Sequence, residues 1–515
     1  MMPRLFPICT KCNDPEATPQ HLLNCIDLYH GKGHNLWHRA CLSLEQLCFD
    51  KSHITNVRTR TTTERSEADD TLDMISDMYT QLKEEDLWGG LWQKRAKYTE
   101  TSTAVAFEQQ GMFLQALEAY EAAATRHHQD MGTGVTPPIM NSEANLYWNH
   151  SIRCNRELND WNALLTLGVA IDPNLVLESA WRHNPNWTLM KEALEQVEPN
   201  CPREQLWKLN LYKGYVYVCQ SEDRQERPLT AVEKVVELCS NLCIREWRRL
   251  PHIVSHIHLQ LLQAAQQIIE LQDAVQIHQG LVPANIGRGP SLHDMKAIVK
   301  TWRNRLPVIS DDLSHWSEIF HWRQEHYKTI VSCYESAQNG PTVEVQANHA
   351  MLGVHASAQS IIHFGKIARK HGLTNVCLDA LGQIHSIPSV PIVDCFQKIR
   401  QQVKCFLQKA HTTTRNEIQE TSQALHEGLH VIDSTNLKYF TKEMTAEFYA
   451  LKAVFLAQLG RFEEANKVFS SACQLHDTLV KAWALWGDYL EQLFTKEKPE
   501  NFSNLEMVKE RKGEL

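Results

Sequence analysis

Apolar residues recur at three- and four-residue spacing through most of this chain, in segments of about 12 to 22 residues. The stretch 253–271 is representative. Ile253, Ile257, Leu261, Ala264, Ile268 and Leu271 fall on one face of a helix, a spacing that an isolated strand could not use. Strict alternation is rare and β-branched runs are short, so no sheet is expected. The breaks carry turn chemistry. Residues 52–70 are polar and Thr-rich, 132–138, 283–290 and 339–341 hold Gly and Pro, and 387–391 and 433–436 are softer interruptions. The pattern predicts helix, turn, helix, repeated.

One motif occurs twice. Ala104, Phe107, Gly111, Phe113, Ala116, Tyr120 and Ala123 match Ala453, Leu456, Gly460, Phe462, Ala465, Phe469 and Ala472 at a constant offset. This is a tetratricopeptide arrangement, in which small residues let two antiparallel helices approach, Gly closes the turn and aromatics fill the space between helices. The second copy predicts its successor. Tyr449 holds the first large position, and one 34-residue tetratricopeptide period later stands Trp483, followed by Trp486, Gly487 and Leu490. Residues 145–168, with Trp148, Trp161 and Leu164, read as a degenerate unit. The expected fold is all-α, an irregular tetratricopeptide/HEAT-like solenoid. Its expected parts are a helical segment with polar linker (1–70) and two successive runs of repeats (71–282 and 283–515).

Composition narrows the function. A net charge of −9 with only a small basic cluster, Arg245, Arg248 and Arg249 around Trp247, argues against direct nucleic-acid binding. No stretch reaches the ~18 apolar residues needed to span a bilayer, so no membrane partner is expected. Residues 1–12 lack the features of a secretory signal, which makes the 15 cysteines reduced, mostly buried thiols. Among the 26 histidines the sharpest metal candidate is Cys9, Cys12, His21 and Cys25, at a spacing that could close a zinc tetrahedron. Leu22, Leu23, Ile26 and Leu28 around it read instead as a helix face, so ordinary repeat Cys and His is the favoured reading. His252, His256 and His258, and likewise His34, His38 and Cys41, have no carboxylate arranged to support a metal, and the first set reads as a partly exposed helix edge. Kinase, P-loop and nucleophile-elbow motifs are absent from the sequence: Gly287 and Gly289 run into Pro290, and no D-F-G occurs. No catalytic, cofactor-binding or metal residue is therefore assigned, and no cofactor is expected. Trp88, Trp92, Trp181, Trp187, Trp302, Trp316 and Trp322 read as core.

Several long segments are similar to the FAT region of the phosphatidylinositol 3-kinase-related kinase family, in its pseudokinase branch. They begin at Glu85 (EDLWGGLWQKRAKYTETSTAVAFEQQGMFLQALEAYEAA), Ser179 (SAWRHNPNWTLMKEALEQVE), Trp247 (WRRLPHIVSHIHLQLLQAAQQIIEL), Met295 (MKAIVKTWRNRLPVISDDLSHWSEIFHWRQEHY), His355 (HASAQSIIHFGKIARKHGL) and Ala482 (AWALWGDYLEQL). The resemblance runs from about Asn35 to about Leu493. It implies a C-shaped or ring-like solenoid cradling an inactive kinase-like domain of the full-length parent. It further implies a nuclear, non-enzymatic scaffold in SAGA-type and MYST-type histone acetyltransferase complexes, with complex subunits and transcription activators as partners. No kinase-like or FATC segment follows Leu515 and no long HEAT array precedes Met1, so a fragment is expected, one that aggregates or oligomerises unless partnered.

Two alternatives stay open. A stand-alone tetratricopeptide adaptor would need a groove where three or more Arg, Lys or Asn side chains of first helices converge. A FAT segment of an active kinase would need catalytic loops in the adjoining coding sequence.

Overall fold

The computed structural model describes residues 67–496 apart from 132–141, 183, 220–228, 251–253, 255, 282–288, 337–342 and 413–417, together with Leu42 and Glu45. Among these residues the chain forms twenty α-helices, short 3-10 turns and no strand. It divides into two compact units. The first comprises Met1–Ile298 and Asp311–His321, the second Val299–Ser310 and Trp322–Leu515.

The first unit holds α1 (Glu67–Leu82), α2 (Glu85–Arg95), α3 (Thr99–Gln109), α4 (Phe113–Met131), α5 (Ser142–Glu157) and α6 (Trp161–Ala170). It continues with α7 (Pro173–Ser179), α8 (Trp187–Val197), α9 (Leu206–Cys219), α10 (Leu229–Trp247) and α11 (His256–Gly280). Two helices, α12 (Gly289–Asn304) and α13 (Leu313–Ser336), supply residues to both units. The second unit continues through α14 (Val343–Lys370), α15 (Thr374–Gly382), α16 (Ile392–Thr412), α17 (Ile418–Ser434), α18 (Lys442–Gln458), α19 (Phe462–Leu475) and α20 (Val480–Lys496).

Helix starts follow local chemistry. Asp160, Asp172, Asn186 and Thr441 each accept a backbone N–H of the first turn that follows them, and Pro173 occupies a position where no donor is needed. The ends share a more telling device. Gly111 (φ +73°) and Gly460 (φ +78°) both lie in the left-handed region. In both, the N–H of the glycine and of the next residue return to carbonyls of the last helical turn: Gly111 to Glu108 and Met112 to Phe107, Gly460 to Ala457 and Arg461 to Leu456. The duplicated motif is thus the same turn built twice. Lys83 (φ +56°), Asn159 (φ +58°) and Gly372 (φ +84°) close three further turns by the same pair of bonds.

Around these turns Ala104, Ala116, Tyr120 and Ala123, and likewise Ala453, Ala465, Phe469 and Ala472, are fully buried. The small residues let α3 pack on α4 and α18 on α19. Not every aromatic of the motif fills that space, since Phe462 is 42% exposed at the start of α19. The predicted successor unit is present as α20, which buries Trp486 and Leu490 beside Phe469, with Trp483 stacked on Trp486. The degenerate unit is the α5–α6 pair, with Trp161 and Leu164 buried.

Two sequence expectations shift. α11 begins only at His256, after Pro251, and runs past Leu271 to Gly280, burying Ala264, Ile268, Leu271, Ala274 and Ile277; Ile253 lies outside the described residues. His258, expected at an exposed edge, is buried edge-on against Trp247. Of the seven tryptophans read as core, six are buried and Trp187 is half-buried.

Candidate interaction site

Buried polar side chains in the first unit hold helices of different repeats in register. Glu108 on α3 accepts Tyr120 Oη of α4 at 2.7 Å and His150 Nδ1 of α5 at 2.9 Å, with Arg153 Nη1 at 3.1 Å. Arg153 also reaches Glu85 on α2 at 2.8 Å, and Trp88 stacks on the His150 ring at 4.4 Å. Burial alone would raise the Glu108 carboxyl, but the bond from His150 and the nearby Arg153 hold it below the ordinary carboxylate range. Three helices meet at one carboxylate, and α2 joins them through Arg153 and the His150 ring.

A second network ties α5, α7 and α9 to the start of α13. Asn159, the left-handed residue after α5, accepts Trp161 Nε1 and Ser317 Oγ, each at 2.6 Å. The Arg182 guanidinium lies 3.7 Å from the centre of the Trp161 ring and 3.5 Å from Glu318. Glu178 accepts Arg156 at 2.7 Å and Lys208 at 2.6 Å. Burial opposes its ionisation, yet Lys208 and Arg156 bring its carboxyl down to about 2. Beside this network Glu157 is pushed up to about 7, first by burial and then by Asp312. It accepts the Leu313 N–H at 3.3 Å, while Lys83 pairs with Asp312 at 2.9 Å.

In the second unit Asp394, at the start of α16, is fully buried and bonded to His355 Nδ1 at 2.6 Å and to Gln359 of α14. Another group of the unit's charges collects on a ledge. α14, α16, α18 and α20 pack side by side and occupy the first-helix positions of successive repeats. Glu447 on α18 pairs with Arg400 Nε of α16 at 2.8 Å and bonds Lys481 Nζ of α20 through the same oxygen. Arg400 Nε is not aligned to hydrogen-bond that oxygen. Lys404, one turn along α16, is half-buried. Its ammonium is pushed down to about 8 by burial and by Lys481, Arg400 and Arg369, with Glu447 opposing. Arg369 at the end of α14 bonds Gln408, and its buried Nε has no hydrogen-bond partner. The sequence reading did not pick out this ledge. Its one legible signal is the 34-residue separation of Glu447 and Lys481, a single repeat period.

Cys9, Cys12, His21 and Cys25, and also His34, His38 and Cys41, lie outside the described residues, as does His252. Among the described residues no group of three or more His, Cys, Asp or Glu is placed to hold a metal ion, and no helix is long and apolar enough to cross a membrane. The basic cluster is partly neutralised, because Glu246 sits 3.3 Å from Arg245 and 3.1 Å from Arg249.

Comparison with known proteins agrees with this architecture. The FAT domain family profile matches residues 173–511. The transformation/transcription domain-associated protein of Mus musculus is 56% identical over 484 residues, covering 92% of this chain and 18% of that protein. The protein of the same name from Homo sapiens is 55% identical over 496 residues, covering 92% of this chain and 12% of its own length. A SAGA complex/NuA4 acetyltransferase complex subunit of Saccharomyces cerevisiae is 32% identical over 496 residues, covering 94% of this chain and 12% of that subunit. The chain therefore spans less than a fifth of these relatives. It belongs to the FAT domain family, and over nearly its whole length it is similar to transformation/transcription domain-associated proteins.

Proposed function

We propose that this chain is a non-catalytic scaffold segment of a nuclear transcription co-activator subunit, acting within SAGA-type and MYST-type histone acetyltransferase complexes through protein–protein contacts. The observation that carries this reading is the 55–56% identity over 92% of the chain to transcription-associated relatives, with a yeast relative named for SAGA and NuA4. The residues support it. The strongest polar interactions join helix to helix, as a frame requires, and stacked repeats present long surfaces for partners. Residues 71–282 and 283–515 then act as successive parts of one repeat array, with the parent's own inactive kinase-like domain among its contacts.

The test is to tag the chain in cells, purify it from nuclear extract, identify what accompanies it by mass spectrometry and assay histone acetylation. Acetyltransferase-complex subunits with activity are the expected result. A folded bait that returns other assemblies, or a bait that stays in the cytoplasm, would overturn the proposal.

A further inference from the structure

Exposed apolar side chains line the outer seam of the α10–α11 hairpin in the first unit. Trp247, at the end of α10, meets His258 near the start of α11 edge-on, with 5.4 Å between ring centres, which fixes the register of the two antiparallel helices. One turn on from that contact stand Ile244 and Leu262, and two turns further along α11 stands Ile269. Ile244, Trp247, Leu262 and Ile269 are 48%, 44%, 54% and 43% exposed, while the inner faces of the same helices bury Cys239, Cys243, Ala264, Ile268 and Leu271. We propose that this seam is a docking surface for one amphipathic helix of a partner protein, with acidic residues in its first turn and basic residues in its last. The inference deepens the scaffold reading, on which it rests, by naming a surface and the chemistry of what it receives.

Charge sets the orientation. Glu233, Glu237, Ile244 and Arg248 are exposed and spaced by whole turns, so they fall on one strip of α10 beside the seam, with Lys234 further round the helix. The Arg248 N–H still bonds the Ile244 carbonyl at 3.0 Å, which carries the strip past Trp247. Arg245 and Arg249 share the single carboxylate of Glu246, so this end keeps a net positive charge in a chain of −9. The seam is thus negative at one end, positive at the other and apolar between. A helix whose first turn is acidic and last turn basic is favoured by its own dipole. Running against α10, it sets its acids over Arg248 and its bases over Glu237 and Glu233.

Dimensions select a single helix. From Glu233 to Arg248 the strip is about 22 Å long, the length of a helix of about 15 residues. Leu262 and Ile269 stand a heptad apart and match apolar positions recurring at that period on the incoming helix. With about half of each apolar side chain exposed, the four offer roughly 300–400 Å². That suits one helix laid along two, whereas a stable pairing of whole chains takes about 800 Å² from each.

The experiment uses the whole chain and fluorescence anisotropy with two labelled peptides of about 16 residues, each with leucines along one helical face. One carries Glu in its first turn and Lys in its last; the other has the two exchanged. The first is expected to bind about tenfold tighter, less so at high salt. Leu262→Glu should weaken it about tenfold. The doubly substituted Glu237→Arg/Arg248→Glu chain should invert the preference, which a difference in peptide helicity cannot do. Circular dichroism and an unchanged urea midpoint confirm that these variants fold. A preference that survives in the doubly substituted chain would overturn the proposal, as would wild-type binding by Leu262→Glu or no binding of either peptide. A monomer–dimer equilibrium in sedimentation that Leu262→Glu abolishes would give the seam to a second copy instead and overturn it too. Because the peptides are read on the purified chain, the seam can fail while the nuclear complex still forms, and the reverse.

Discussion

Gly428 on α17 gives a sharp test of how tightly the second unit is packed. A Cβ placed there would lie 2.3 Å from Cε1 and 2.6 Å from Cζ of Phe455, and 3.1 Å from Cβ of Phe406. Ordinary contact begins near 3.4 Å, so the Phe455 ring must retreat by about an ångström. It has little room to do so, being fully buried on α18 within the cluster that holds Phe448, Phe469 and Trp486. Overpacking of this kind costs about 1–3 kcal/mol, and replacing a helical Gly by Ala returns roughly 1 kcal/mol. Gly428→Ala is therefore expected to lose up to about 2 kcal/mol net.

Gly382 is the internal control. It ends α15 at a helical φ of −61°, and a Cβ there meets nothing within 4 Å. Gly382→Ala should be neutral or stabilising by up to about 1 kcal/mol. Urea unfolding followed by tryptophan fluorescence reports on both, because Trp486 sits in the affected core. With a urea m-value of about 2 kcal/mol/M, the Gly428→Ala midpoint falls by up to roughly 1 M. Adding Phe455→Leu should return part of the loss relative to Phe455→Leu alone, since the two side chains then no longer collide. If Gly428→Ala gains stability as Gly382→Ala does, the close approach of α17 to α18 is wrong.

Two further outcomes follow from single residues. Gly111→Ala and Gly460→Ala force an L side chain to φ +73° and +78° and should each lose about 1 kcal/mol, read as a lower thermal midpoint, with Asn at either site losing less. Glu157, raised to about 7 by burial and then by Asp312, with Arg153 and Lys83 opposing, binds its proton more tightly folded than unfolded. Wild-type stability from this group is therefore highest below the ordinary carboxylate range and falls as pH rises to about 7. Glu157→Gln should gain about 2–3 kcal/mol on wild type between pH 5 and pH 8; a pH-independent difference in denaturant unfolding would refute the assignment.

The helical-repeat fold was legible because its cause is local. A duplicated set of small and aromatic positions, with Gly at one offset, specifies two helices and the left-handed turn between them, and both copies form that turn. Lys83 and Asn159 show where this reading stops. They close turns by the same bonds, but neither residue type announces a positive φ as Gly does. His258 was misplaced because its neighbour Trp247 belongs to the preceding helix, beyond the reach of any single-helix pattern.

The sequence by itself determined that this chain is helical, which faces of its helices are apolar, and to which family it belongs. Those properties follow from periodicity, turn chemistry and long stretches of similarity. Only the tertiary structure decided which polar groups meet. Glu108 finds His150 42 residues away, and Asn159 finds Ser317 at 158. Glu447 comes to lie between Arg400 and Lys481 on neighbouring first helices. The physical reason is that an apolar face needs only some apolar neighbour, whereas a buried charge answers to particular atoms, and those are set by how one repeat stacks on the next.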